Sequence, residues 1–259
     1  MAQTYHKLRS THILILGGSS GIGLAVAEAC LSSGAHVTIS SSSLPKLTSA
    51  ASHLQTLYPT QSINAIQTDL SDPSTLETNL TYLFETAQST LGTTHHVVFT
   101  AADALSLGDL TTVSAEGIRQ AAHMRMVVPL LVAKIATRYL PKTYESSIVL
   151  TSGCVAEKPV KGWAVVSYFA GGLVSLGRAL AVELAPVRVN VVRPGYVDTG
   201  IWGERESEER EGAVRAVGEK VLTGRMGRVE DVAEAYLWVM KDGNVTGSVA
   251  GSDGGILLV

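Results

Sequence analysis

The chain has 259 residues, 46% of them apolar and 17% charged, with a formal net charge of −3 and a pI of about 6.2. That length suits one α/β domain, and the composition supplies a large core. The weak acidic balance speaks against the basic face that a nucleic-acid partner needs, and two cysteines, Cys30 and Cys154, are too few for a disulfide framework.

Residues 1–11 are polar and carry His6, Lys7 and Arg9, without the apolar core of a secretory signal. No run approaches the ~18 uninterrupted apolar residues of a membrane helix. The expectation is a cytoplasmic protein with reduced thiols and no membrane partner.

Strand and helix patterns then alternate. Residues 12–16 form a short apolar and β-branched run, and 21–33 a helix stopped by Gly34. A second strand at 36–40 and a second helix at 44–57 follow. The third strand spans 63–67, and Pro73 is placed to open the next helix at a favoured first-turn position. Further strands are expected at 96–100, 147–150, 187–192 and 248–250, with helices over 114–139, 163–184 and 229–240. The polar stretch 203–215 reads either as a solvated helix face or as a flap over a substrate site. Alternating β and α units of this kind predict a doubly wound parallel sheet of about seven strands in a single domain over 1–259.

Between the first strand and first helix lies Gly17-Gly18-Ser19-Ser20-Gly21-Ile22-Gly23. Glycines at 17, 21 and 23 permit a tight turn and close approach of the backbone to a pyrophosphate. The helix start supplies N–H donors to the phosphates. The second strand ends in Ile39-Ser40-Ser41-Ser42-Ser43, where NAD binders carry a carboxylate for the adenine ribose. Without that carboxylate nothing repels a 2′-phosphate, and Ser40, Ser41 and Ser42 offer hydroxyl donors, so NADP(H) is the expected cofactor. Ser42 or Ser43 can also cap the following helix.

Taken as a whole, the pattern resembles the classical short-chain dehydrogenase/reductase family, a Rossmann-type fold, over nearly the whole chain. Besides the glycine loop, Asp69-Leu70 is similar to that family's adenine-contacting pair. The segment from Arg193 to Thr199 is similar to its Pro-Gly motif, and Asp253-Gly254-Gly255 to its C-terminal signature. The resemblance implies that Ser19, Ser20, Ile22, Ala101, Pro194 and Gly195 line the dinucleotide, with Val197 and Thr199 at the nicotinamide carboxamide. It also implies a homo-oligomer, dimer or tetramer.

The family's catalytic residues are missing. In the register set by residues 180–186, its Tyr falls on Val166, its Lys on Ala170 and, counting back, its Ser on Gly153; in the register set by Pro129 to Lys134, its Asn falls on Arg125. Tyr168 is no substitute, because two steps along a helix rotate a side chain by about 200°.

Ketone reduction creates an alkoxide that needs a proton donor. Hydride delivery to an iminium carbon gives a neutral amine and needs none. A site of Arg125, Met126, Trp163 and Val166 suits a large, flat, apolar small molecule. The sequence is similar in this respect to short-chain proteins of fungal indole-alkaloid pathways, of the malbrancheamide and paraherquamide type. These have lost the Tyr and Lys, reduce an imine-type intermediate with NADPH and guide an intramolecular Diels–Alder reaction.

Arg125, Trp163 and Glu157, the local carboxylate before that Trp, are the candidate catalytic residues. Arg125 either contacts cofactor or substrate or pairs with Asp103, and the two roles are compatible. His123 reads as a structural helix residue, Cys154 as packing, and His95-His96 lacks the partners of a metal site. Two other functions stay open: a non-redox cyclase or isomerase that uses NADP structurally, and a catalytically inactive NADP sensor.

Overall fold

The computed structural model describes residues 4–200 and 208–259. Strands β1 (His12–Leu16), β2 (His36–Ser41), β3 (Ile63–Gln67), β4 (Thr94–Phe99), β5 (Ser147–Thr151), β6 (Arg188–Pro194) and β7 (Val249–Ser252) form one sheet. Its order is β3-β2-β1-β4-β5-β6-β7, and every pairing is parallel. Helices α1 (Gly21–Ser32), α2 (Leu44–Leu57), α3 (Leu76–Leu91), α4 (Ala115–Ala122), α5 (Val128–Ala136), α6 (Ala164–Glu183), α7 (Glu208–Gly218) and α8 (Val229–Lys241) connect them.

The central strand β1 is buried along its whole length. Its side chains alternate: Ile13 and Ile15 join a core with α1, α2 and α8, while Leu14 and Leu16 join a second core with α3, α5 and α6. Helices on both faces explain why the strands read as continuous apolar runs rather than as polar–apolar alternation. The chain winds from β1 to β3 on one side, then crosses to β4 on the other. The carboxyl ends of β1 and β4 therefore part, and the crevice between them is where such sheets take ligands.

Two elements depart from the expectation. Pro73 does not open α3. The Asp72 carboxylate accepts from the Ser74 amide and hydroxyl, at 2.8 and 2.7 Å, and this local turn delays the helix to Leu76. The helix expected over 114–139 is broken. Between α4 and α5 the chain forms a π turn, His123–Val127, in which the Val128 amide donates to the His123 carbonyl, five residues back. Pro129 follows at once and has no N–H for the Arg125 carbonyl, so regular α pairing cannot be completed there.

Helix α6 falls where it was expected, and by length and composition alone it could cross a membrane. Here it lies on the sheet, with Leu173 and Leu180 in the second core. The polar stretch 203–215 lies outside the described residues as far as 207, and from 208 it belongs to α7.

Candidate active site

The loop between β1 and α1 is held by its own backbone. The amides of Gly17 and Gly18 both donate to the Ser40 carbonyl, at 2.9 and 3.1 Å, folding the loop over the end of β2. Gly17 has φ 90°, and a Cβ there would stand 2.5 Å from the Ala101 amide nitrogen. A Cβ on Gly23 would stand 2.2 Å from the Gly17 carbonyl oxygen. Both contacts are with backbone, so no side chain fits. Gly18 is constrained as well, its Cβ position lying 2.7 Å from Ile39 Cγ2, a demand that the sequence did not disclose.

Ser20 occupies the cap position of α1 in extended conformation, yet its side chain makes no capping bond, and the first turn holds no acidic residue. The opening amides of α1 thus lack the usual side-chain acceptor. An uncapped helix start behind a glycine cradle fits the pyrophosphate of a dinucleotide. Across it lies the Pro-Gly segment: Thr199 Cγ2 is 3.5 Å from the Cβ position of Gly21. Val197 is buried and bridges to Gly227, and the Gly195 backbone packs against Asp253.

The serine run divides by role. Ser40 is buried and acts through its carbonyl, so its hydroxyl is not presented to a ligand, contrary to the expectation. Ser41 accepts from the Ser19 hydroxyl at 2.8 Å, and Ser42 is exposed. Ser43 caps α2 by position but makes no side-chain capping bond. Lys46, exposed in the first turn of α2, is a cation that the sequence reading passed over, although it stands three residues beyond the run. No acidic side chain occupies the first turn of α2.

Asp69 is engaged locally. Its carboxylate accepts from the Ser71 amide at 2.9 Å, and that bond holds it below the usual carboxylate range. Leu70 is buried, and its carbonyl is 2.8 Å from His123 Nε2. His123 therefore ties the π turn to the β3 end, a structural role.

Arg125 projects from the π turn toward the loop after β4. Its NH2 donates to Asp103 Oδ1 at 2.6 Å, to the Asp103 carbonyl at 3.0 Å and to the Ala104 carbonyl at 3.2 Å. Next along that loop, Leu105 joins an apolar cluster of Cys154, Val155, Val166, Ala170, Val221 and Ile256, with Trp163 and Tyr196 packed on it. Burial pushes the Cys154 thiol up, which suits a packing residue rather than a nucleophile.

Glu157 does not join this group as a free carboxylate. It accepts from Arg193 NH1, while Arg193 NH2 donates to Asp253 at 2.8 Å. The pairing binds the segment after β5, the end of β6 and the C-terminal segment together, and Glu157 is ion-paired rather than free.

The family model for an SDR-like Rossmann domain matches residues 4–259. The chain belongs to the short-chain dehydrogenase/reductase family. It is 41% identical over 252 residues to the short-chain dehydrogenase/reductase ATR9 of Stachybotrys chlorohalonatus, covering 97% of this chain and 98% of that one. Over 254 residues it is 41% identical to malC of Malbranchea aurantiaca, covering 97% and 96%. The solved structure of the MalC reductase/Diels–Alderase superposes with a TM-score of 0.94 at 40% identity, covering 99% of this chain and all of that one. Family membership carries with it a nicotinamide dinucleotide and a small-molecule substrate.

The positions expected to carry the family's Tyr and Lys hold apolar side chains. Val166 and Ala170 are both buried apolar residues in the first turns of α6. Ser152, beside Gly153, donates to the Ala170 carbonyl at 2.8 Å and so is turned into the helix. Tyr168 is 68% exposed, on the face of α6 away from Val166, so no phenol from this helix replaces the missing one.

Proposed function

We propose that the chain is an NADPH-dependent reductase of a carbon–nitrogen double bond in fungal alkaloid biosynthesis, whose pocket also guides an intramolecular Diels–Alder closure. The observation that carries this reading is a dinucleotide cradle together with a buried apolar cluster that holds Val166 and Ala170, the positions expected to carry the family's Tyr and Lys. The cofactor, when bound, supplies the hydride.

The chain's own residues would bind and orient. Gly17, Ser19, Ser20, Ile22 and the α1 amides would take the pyrophosphate. Ser41, Ser42 and Lys46 would take the 2′-phosphate, with Asp69 and Leu70 at the adenine. Ala101, Pro194, Gly195, Val197 and Thr199 would hold the nicotinamide end. Trp163 and Val166 would wall off water, and Arg125 would donate to an oxygen of cofactor or substrate.

Neither Val166 nor Ala170 can protonate a nascent alkoxide, whereas a protonated imine becomes a neutral amine without a donor there. The same dry walls favour a ring closure that needs only confinement of the reacting ends. The names of its relatives, among them a reductase/Diels–Alderase, support both steps.

The test is NADPH oxidation with dihydroisoquinoline and, in parallel, with tetralone. Consumption with the imine and none with the ketone is expected; comparable rates would overturn the reading. The NADP preference is tested by comparing NADPH and NADH affinity by fluorescence.

We also propose a cytoplasmic homo-oligomer built on the outer faces of α5 and α6, where Leu130, Tyr168 and Val182 are exposed. Light scattering in solution checks it, and a monomer at micromolar concentration would overturn it.

A further inference from the structure

Asp103 and Arg125 face each other between the dinucleotide loop and the apolar cluster. Two residues before Asp103, the Ala101 backbone touches Gly17; two residues after it, Leu105 packs with the cluster around Val166. The same loop is anchored to the turn that carries Trp163, through the Gly108 amide donating to the Gly162 carbonyl at 3.0 Å.

Within this setting Arg125 spends one nitrogen, NH2, on all three of its bonds. Its Nε is buried and has no hydrogen-bond partner among the described residues. The guanidinium side chain is 14% exposed and the Asp103 side chain 37%. A charged group is thus kept on the loop that leads into the apolar cluster, and a carboxylate is set against it.

The physical consequence concerns charge. An unpaired guanidinium there would repel any cation entering the pocket. In a partly dry site a like charge about 6 Å away weakens binding by more than tenfold. We propose that Asp103 is a specificity-determining residue: by neutralising Arg125 it admits a cationic C=N substrate to the space beside the pair. This deepens the reductase reading and rests on it. The competing role for Asp103 is to fix the geometry of Arg125 and nothing more.

Charge and geometry separate cleanly by substitution. Asp103→Asn keeps an oxygen acceptor for NH2 and removes the charge. Arg125→Gln leaves the carboxylate uncancelled, and the double variant removes both charges. The probes are N-methylisoquinolinium, a permanent cation, and methylnaphthalene, its neutral isostere. Binding to the NADP+-saturated protein is measured by calorimetry for wild type, D103N, R125Q and D103N/R125Q.

D103N is expected to weaken the cation by about tenfold or more and to leave the neutral probe within about twofold. R125Q is expected to tighten the cation by about threefold or more, and the double variant to return it to within about threefold of wild type. R125Q keeps the test decisive if D103N does not fold.

Equal weakening of both probes in D103N, unchanged discrimination in R125Q, or a wild type that binds neither probe would overturn the proposal. The two readings fail separately. A wild type that prefers the cation but never oxidises NADPH with dihydroisoquinoline overturns the reductase and not the charge cancellation. Reduction with no charge discrimination does the reverse.

Discussion

At the scale of single residues, the site separates side chains that sequence spacing identifies from those that only folding brings together. Gly17 and Gly23 were legible because a glycine fingerprint has fixed spacing, and the contacts with Ala101 and Gly17 state the reason in ångströms. Gly23→Ala must push the loop off β4. A stability loss of about 2–4 kcal/mol in denaturant unfolding is expected, with loss of NADPH binding. Ser41 stands at the end of β2 with its oxygen facing Ser19. Ser41→Asp retains that acceptor and adds a charge where a 2′-phosphate would lie. NADPH affinity should fall by about tenfold or more and NADH affinity should hold or rise, read by fluorescence titration. The ion pair of Glu157 was not legible in the sequence, for a physical reason. Its partner Arg193 is 36 residues away in sequence, and no local pattern announces a pair made by β6 arriving beside β5.

At the scale of elements, β3 and β7 are only partly buried, but most strands were easy to find because they are buried, largely apolar runs, and their ends were placed to within a few residues. The long helix was not, and the reason is Pro129. Its position in the chain marked the register of the helix, yet its missing N–H also breaks that helix into α4, a π turn and α5. The turn matters because Arg125 lies inside it. Pro129→Ala restores a donor, and closing the turn as a regular α-helix rotates Arg125 by up to about 100° about the axis. The melting temperature should hold or rise, while turnover of dihydroisoquinoline should drop by about tenfold. Unchanged turnover would detach the π geometry from the chemistry.

At the scale of the whole molecule, the two rims of the sheet carry different polar inventories. The carboxyl rim holds the cradle and the pocket. The amino rim holds His12, His96, Ser147, Arg188 and Asn190, all buried. His12 bonds Gly92 and Thr38, at 3.0 and 2.8 Å, and burial lowers its pKa to about 4. His96 bonds Ser147 at 2.8 Å, and burial lowers its pKa to about 3, aided by the Arg188 cation. Both are neutral when folded and free to charge when unfolded, where the pKa is about 6.5. Their contribution is therefore complete above pH ~6.5 and is lost as pH falls from there toward about 4 and about 3. Each costs about 1.4 kcal/mol per pH unit in that window. Chemical unfolding across pH 7 to 4 should show the fall, and His96→Asn should remove a good part of the slope. The doubly wound sheet itself was readable in outline from the alternation of elements, but the population of its lower rim was not, since partners such as Ser147 and His96 meet only through β4–β5 pairing.

One consequence of that central strand reaches further. β1 is 5 residues long and carries His12 at its entry and Gly17 just past its exit, roughly 16 Å apart along the strand. Protonation at one pole and ligand capture at the other are then thermodynamically independent. Replacing His12 by Asn should therefore leave NADPH affinity at pH 7 unchanged in a fluorescence titration.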